Sequence, residues 1–207
     1  MKRTLCLALP AVLAALLLLS CRNAPREQSY EAQQNLMGTI VRIKAFAKDL
    51  PRERFDAVSG QGFAEIKRIE GEMSEWRPES PISRAARLAG REAVPVSDEL
   101  AALIDLSLDV SRRTGGAFDI SFKPLGRLWN VQARKEPPAE EEIQAARRLV
   151  DYRNVVLDRQ RRTLYLKRKG MAVGLGGIAK GYAAGRAARK MAEGGIQNFI
   201  IDAGGDL

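Results

Sequence analysis

The segment from Ala172 to Leu207, "AVGLGGIAKGYAAGRAARKMAEGGIQNFIIDAGGDL", constrains the fold most. It reads as a short strand, a glycine-rich turn, a helix and a second strand. Glycines permit positive φ and close approach of a ligand. The helix that follows offers unpaired N–H groups and the positive end of its dipole. Lys180 lies in its first turn and adds a mobile positive charge suited to a phosphate oxygen. The equally weighted structural alternative is a glycine turn packed on a sheet, with Lys180 in solvent. A Walker A loop requires G-x-x-x-x-G-K-[ST]. Lys180 is preceded by Ala179 and followed by Gly181, so that motif fails. The dinucleotide fingerprint G-x-G-x-x-[GA] fits as Gly174, Gly176 and Ala179, and Asp202 closes the next strand. It keeps a Rossmann-type NAD(P) oxidoreductase open as an alternative, although such a domain continues through several further strands.

The rest of the chain alternates helices with strands and hairpins, which predicts an α+β fold. "LMGTIVRIKAFA" alternates, with Met37, Thr39, Val41, Ile43 and Ala45 on one strand face. "PRERFDAVSGQGFAEIKRIEGEMS" has helical spacing, and Pro51 suits a helix start. "SEWRPESPISRAARLAG" is broken by Pro78 and Pro81. Ser97 is an expected N-cap, with Asp98 and Glu99 in the first turn, Arg112 and Arg113 in the last, and Gly115 as the stop. "EPPAEEEIQAARRLV" reads as a further helix, and "YRNVVLDRQRRTLYLKRKG" as a hairpin.

The 207 residues include no histidine and two cysteines. That excludes, within this chain, a Ser-His-Asp triad, a Cys-His dyad and histidine-ligated metal. Carboxylates, hydroxyls, Lys/Arg and backbone groups remain, a set suited to phosphate and hard cations such as Mg²⁺. The formal charge is +9, from 34 basic and 25 acidic residues. The bases are scattered without interleaved aromatics, so no nucleic-acid partner is expected. "MKRTLCLALPAVLAALLLLSC" has a basic start and an apolar run, the plan of a secretory signal over residues 1–20. Ser20 directly before Cys21 resembles the lipobox of bacterial lipoproteins, with Cys21 lipidated. Residues 21–34 then read as a polar tether.

Two more stretches carry candidate chemistry. In "TGGAFDISFKPLGRLWN", Phe118 could stack on a flat ring and Asp119 accept a hydrogen bond from it. The structural alternative makes Phe118 and Trp129 core anchors and Asp119 a turn former. In "NFIIDAGGDL", Asp202 and Asp206 flank a glycine pair, either beside a ligand or in a plain turn.

Taken in order, "LMGTIVRI", "GEMSEWRPESPISRAAR", "TGGAFDISFKPLGRLW", "VGLGGIAKGYAA" and "NFIIDAGGDL" resemble the bacterial flavin transferases of the ApbE type, over residues 35–207. The resemblance implies a T-fold-like mixed sheet with flanking helices. It implies FAD as substrate, Mg²⁺, and transfer of the FMN half of FAD to a threonine hydroxyl of a target protein with release of AMP. Family targets include subunits of membrane redox complexes, and many members are lipoproteins of the bacterial cell membrane facing the periplasm or cell exterior. Flavin contacts carry over to Met37, Trp76 (where tyrosine is usual), Ala117, Phe118, Asp119 and Lys180. Gly174 stands where the family usually has an acid that contacts FAD, and the metal-binding backbone carbonyl maps to Gly177. Further departures are Gly185 in place of an acid and Pro81 after Ser80 where Glu is common. The family's C-terminal third, which carries side-chain metal ligands, a flavin contact and a histidine, has no counterpart here. The chain is therefore expected to be incomplete at its C-terminus, with a flavin-binding lipoprotein lacking transferase activity as the alternative.

Overall fold

A computed structural model describes residues 28–129 and 135–207. The signal sequence and Cys21 lie outside the described residues. Residues 28–34, expected within a tether, instead form most of β1 (Gln28–Leu36). This strand is largely exposed and mainly polar, which is why its sequence resembles a linker. It pairs antiparallel with β2 (Thr39–Ala47), with Leu36 opposite Thr39. Met37 and Gly38 form the two-residue turn, at φ 53° and 72°. Positive φ at both positions matches the right-handed strand twist. Met37 thus sits on the hairpin tip, not on the strand face shared by Val41 and Ile43.

α1 (Arg52–Met73) follows, with Phe55, Val58, Phe63, Ile66, Ile69 and Met73 on its buried face. α2 (Pro81–Arg87) starts at Pro81, with Ser80 as its cap. After β3 (Val94–Pro95), α3 (Asp98–Arg113) begins where the Ser97 side chain accepts from Leu100 N–H. It ends before Gly115 and Gly116, both at positive φ. A 3₁₀ turn (Ile120–Phe122) leads into α4 (Lys123–Trp129), and α5 is Glu140–Arg147. The expected hairpin is β4 (Val155–Asp158) with β5 (Thr163–Leu166). α6 (Ala179–Glu193) and β6 (Phe199–Ala203) close the chain.

The α+β class is as expected, with the strands divided between two three-stranded sheets, β1-β2-β6 and β3-β5-β4. Every described pairing is antiparallel. That overturns the Rossmann alternative. Ala172 and Val173, expected to form a strand before the glycine loop, pair with no strand, and β6 lies antiparallel to β2. Without a parallel β-α-β crossover, the fingerprint glycines have no dinucleotide fold to open.

The first sheet packs on α1 and α6. Val41, Ile43 and Ala45 of β2 are fully buried, as are Ile66, Ile69 and Ala187 from the helices. Gly62 allows this close crossing, because a Cβ there would lie 3.0 Å from the Ile43 side chain and 3.7 Å from that of Ala187. The hydrophobic gain from this burial provides the main drive for folding.

Candidate functional site

The hairpin tip, the C-terminal end of α1 and the start of α6 converge on an open cavity of about 310 Å³. Met37, Met73 and Leu175 supply apolar lining, Trp76 a large ring, and Glu75 and Lys180 charges. α6 contributes its N-terminal turn: Ala179 and Lys180 line the cavity, and the N-cap, Ile178, makes no side-chain capping bond. That end of the helix carries its partial positive charge. Lys180 Nζ lies 3.1 Å from an Asp206 carboxylate oxygen. Asp206 is brought there by the turn after β6, where Asp202 Oδ1 accepts from Gly205 N–H and Gly204 and Gly205 hold positive φ. Asp202 therefore shapes the turn, and Asp206 reaches the site.

The segment presenting Trp76 is tied down by serines. Trp76 N–H donates to Ser74 Oγ, Ser80 Oγ to the Ser74 carbonyl, and Ser83 Oγ to the Glu75 carbonyl. Trp76 as a residue is 77% exposed. Lys123 Nζ lies 3.4 Å from its centroid and donates to Glu75 Oε1 at 3.0 Å. Lys123 is only 4% exposed. A desolvated cation on an indole face contributes about 2 kcal/mol.

Of the residues named from sequence as flavin contacts, Met37, Trp76 and Lys180 line this cavity. Gly174 does not. It is buried, its N–H donates to the Ile120 carbonyl, and a Cβ there would meet Phe122 at 3.0 Å and Glu75 Oε1 at 3.3 Å. Phe118 is half-buried against the core, with its ring edge 3.4 Å from where a Gly177 Cβ would project, so these two predicted residues do meet. Ala117 is exposed beside it. Asp119 is a turn former: Oδ1 accepts from Ser121 N–H and Oγ, and Oδ2 from Tyr152 N–H. Trp129, considered as a core anchor, is 45% exposed. Glu75 and Lys123 were missed. Both stand inside quoted motifs, but their pairing spans 48 positions and leaves no periodic or spacing signal.

Among the described residues no group of three or more His, Cys, Asp or Glu side chains could hold a metal ion. The Gly177 carbonyl has no carboxylate cluster beside it. Glu75 is committed to Lys123, and Asp206 to Lys180. This donor set does not fit a resident Mg²⁺, which relies on carboxylates together with phosphate oxygens.

A second polar cleft lies between α1, α3 and α6. Arg68 donates to both oxygens of Glu65 and to Glu99 Oε2, Arg186 Nε to Glu65 Oε1, and the Tyr182 hydroxyl to Glu99 Oε1. The Arg68 hydrogen bonds hold the Glu65 carboxyl down at about 2, against the opposing effect of burial. Burial pushes Glu99 up, but bonds from Tyr182 and Arg68 and the two guanidinium charges outweigh it and leave it below its ordinary value. Burial, then the bond to Glu99, pushes the Tyr182 phenol up to about 12. With its charges mutually paired, this cleft clamps three helices.

Compared with known proteins, residues 37–207 match the family model described as the ApbE family. The chain belongs to the ApbE family. An FAD:protein FMN transferase of Klebsiella pneumoniae is 30% identical over 183 residues, covering 88% of this chain and 55% of that protein. One from Salmonella typhimurium is 29% identical, covering all of this chain and 61% of its own length. Among solved structures, an ApbE protein of Thermotoga maritima gives a TM-score of 0.75 at 28% identity, over 86% of this chain and 57% of that one. The flavin transferase ApbE from Vibrio cholerae shares the fold, with a TM-score of 0.78 at 23% identity, over 87% of this chain and 58% of that one. The chain thus spans about 55–61% of the length of these ApbE relatives.

Proposed function

We propose that this chain carries the FAD-binding part of an FAD:protein FMN transferase. The reaction forms a phosphoester bond between the acceptor threonine oxygen and the FMN phosphorus. The pyrophosphate bond breaks, AMP leaves, and the hydroxyl loses its proton. The observation that carries the reading is the cavity in which Met37, the open face of Trp76 and Lys180 come together at the start of α6. Trp76 offers a flat apolar surface for a ring system. Lys180 and the helix end supply positive charge for phosphate oxygens. Asp206 occupies the Lys180 ammonium until a phosphate takes its place. The acceptor hydroxyl belongs to the target protein, for which membrane redox complex subunits are the expected class, so no Ser or Cys nucleophile is required of this chain. Mg²⁺ enters the proposal only as a counter-ion bound largely by the substrate's own phosphates.

Titration with FAD, followed by flavin fluorescence, tests the reading. Lys180→Ala should weaken FAD binding about tenfold, the effect of losing one charge-assisted contact. An unchanged affinity removes Lys180 from the site. Incubation with FAD, Mg²⁺ and a candidate acceptor should add one FMN mass to a threonine and release AMP. Retained FAD without either product favours the binding-only reading, motivated by the absence of a carboxylate cluster among the described residues. We further propose attachment to the bacterial membrane through a lipid on Cys21, facing the periplasm or cell exterior. Cys21→Ala should move the protein to the soluble fraction and abolish palmitate labelling; persistent labelling would exclude that site.

A further inference from the structure

We infer that Lys123 is a positioning residue that, fixed by Glu75 and given room by Gly174, holds the Trp76 indole as the standing wall of the cavity. The inference rests on the flavin reading above for its functional consequence. A lysine that is 4% exposed costs free energy to bury, and here its ammonium is paired with the Glu75 carboxylate, itself 11% exposed. Such a pair in a cavity wall calls for a structural consequence, and its geometry supplies one. The ammonium covers one face of the Trp76 ring at 3.4 Å, while 77% of that residue remains open to solvent. The cation therefore occupies the inner face, and the outer face is free to receive a flat ring. The serine-tied backbone at residues 74–83 fixes where the side chain starts, but not how the indole rotates about its own bonds.

Gly174 completes the unit. A side chain there would begin 3.3 Å from Glu75 Oε1 and 3.0 Å from the Phe122 ring. The hydrogen left in its place is what lets Glu75 fold inward to meet Lys123. The three positions belong to three separate segments, and the pair between Glu75 and Lys123 brings the end of α1 against the start of α4.

The test uses the full chain in a Trp129→Phe background, which leaves Trp76 as the single tryptophan of the two in the sequence. Two readouts are taken: the anisotropy decay of Trp76 fluorescence, and FAD affinity. Lys123→Met should enlarge the fast, local component of the decay and weaken FAD binding about fivefold to tenfold, a part of what the lost cation–ring contact is worth, since FAD feels it only through the indole. Lys123→Arg keeps a cation on the ring and should restore both values to within about twofold. Because Lys123→Met strands the Glu75 charge, Lys123→Met/Glu75→Gln is made alongside and should show the same loosened indole. In a Trp76→Ala background, Lys123→Met should cause no further loss of FAD affinity. Unchanged anisotropy in Lys123→Met and in Lys123→Met/Glu75→Gln overturns the positioning role, whatever happens to FAD. An equal affinity loss with Trp76 absent also overturns it, since Lys123 would then act by another route. Failure of the parent chain to bind FAD would instead overturn the flavin reading, and the anisotropy alone would still decide the role of Lys123.

Discussion

Replacing Glu65 by Gln isolates one acid-sensitive contact of the three-helix clamp. In the folded chain the Glu65 carboxyl is lowered from 4.5 to about 2, first by its hydrogen bonds from Arg68 and then, against burial, by Arg186. A group with a depressed folded value stabilises the fold above its unfolded value and loses that contribution as pH falls through the folded one. The window is therefore from pH 4.5 down to about 2. The full shift corresponds to about 3 kcal/mol. The Arg68 side chain is 45% exposed and Glu65 11%, so solvent screens part of the pairing. The expected contribution is then about 1–2 kcal/mol. Urea unfolding followed by circular dichroism at pH 7, 4.5, 3 and 2.5 measures it. At pH 7, Glu65→Gln should be less stable by that amount, and the gap should narrow steadily below pH 4.5. Added salt at pH 7 should narrow it as well, because part of the attraction is screened. A gap that stays constant from pH 7 to 2.5, or no gap at pH 7, would refute the assignment of this stability to an ionised Glu65.

The same clamp has an alkaline side. The Tyr182 phenol is raised to about 12 by burial and by its bond to Glu99, so its contribution is complete below pH 10 and lost as pH rises through 12. The stability difference between the parent chain and Tyr182→Phe should therefore shrink between pH 10 and 12; a difference that widens there would reverse the sign of the argument. At the other end of α6, a Cβ on Gly194 would stand 2.4 Å from Val58 Cγ1. Gly194→Ala should lower stability by about 1–3 kcal/mol through overpacking, read as an earlier urea midpoint with an unchanged slope; an unaltered midpoint would mean that α1 and α6 can separate locally at no cost.

Local signals along the chain are enough to place α1, α3, α5, α6 and the β4–β5 hairpin, whereas the Gly-hinged segment that reads as a loop forms α4 (Lys123–Trp129). Ser97 caps α3 and the Gly115–Gly116 pair stops it, as composition and spacing indicate. The ordered motifs also pointed to the family, and Met37, Trp76 and Lys180, named from them, line one cavity. Tertiary structure decided the rest. β1 is a mostly exposed polar edge strand, so its segment lacks the apolar alternation that marks a half-buried strand. The literal dinucleotide fingerprint at Gly174 did not predict a Rossmann unit, because strand partners are chosen by long-range pairing and β6 found β2. Asp119 has ligand-like chemistry, yet Ser121 and Tyr152 take up its oxygens. Glu75 meets Lys123 across 48 positions, and Asp206 meets Lys180 only after α6 and β6 have packed. Periodicity and capping report on neighbours within about one helical turn. Charges that meet across the fold are selected by packing, and no window along the chain encodes which of them will share a cavity.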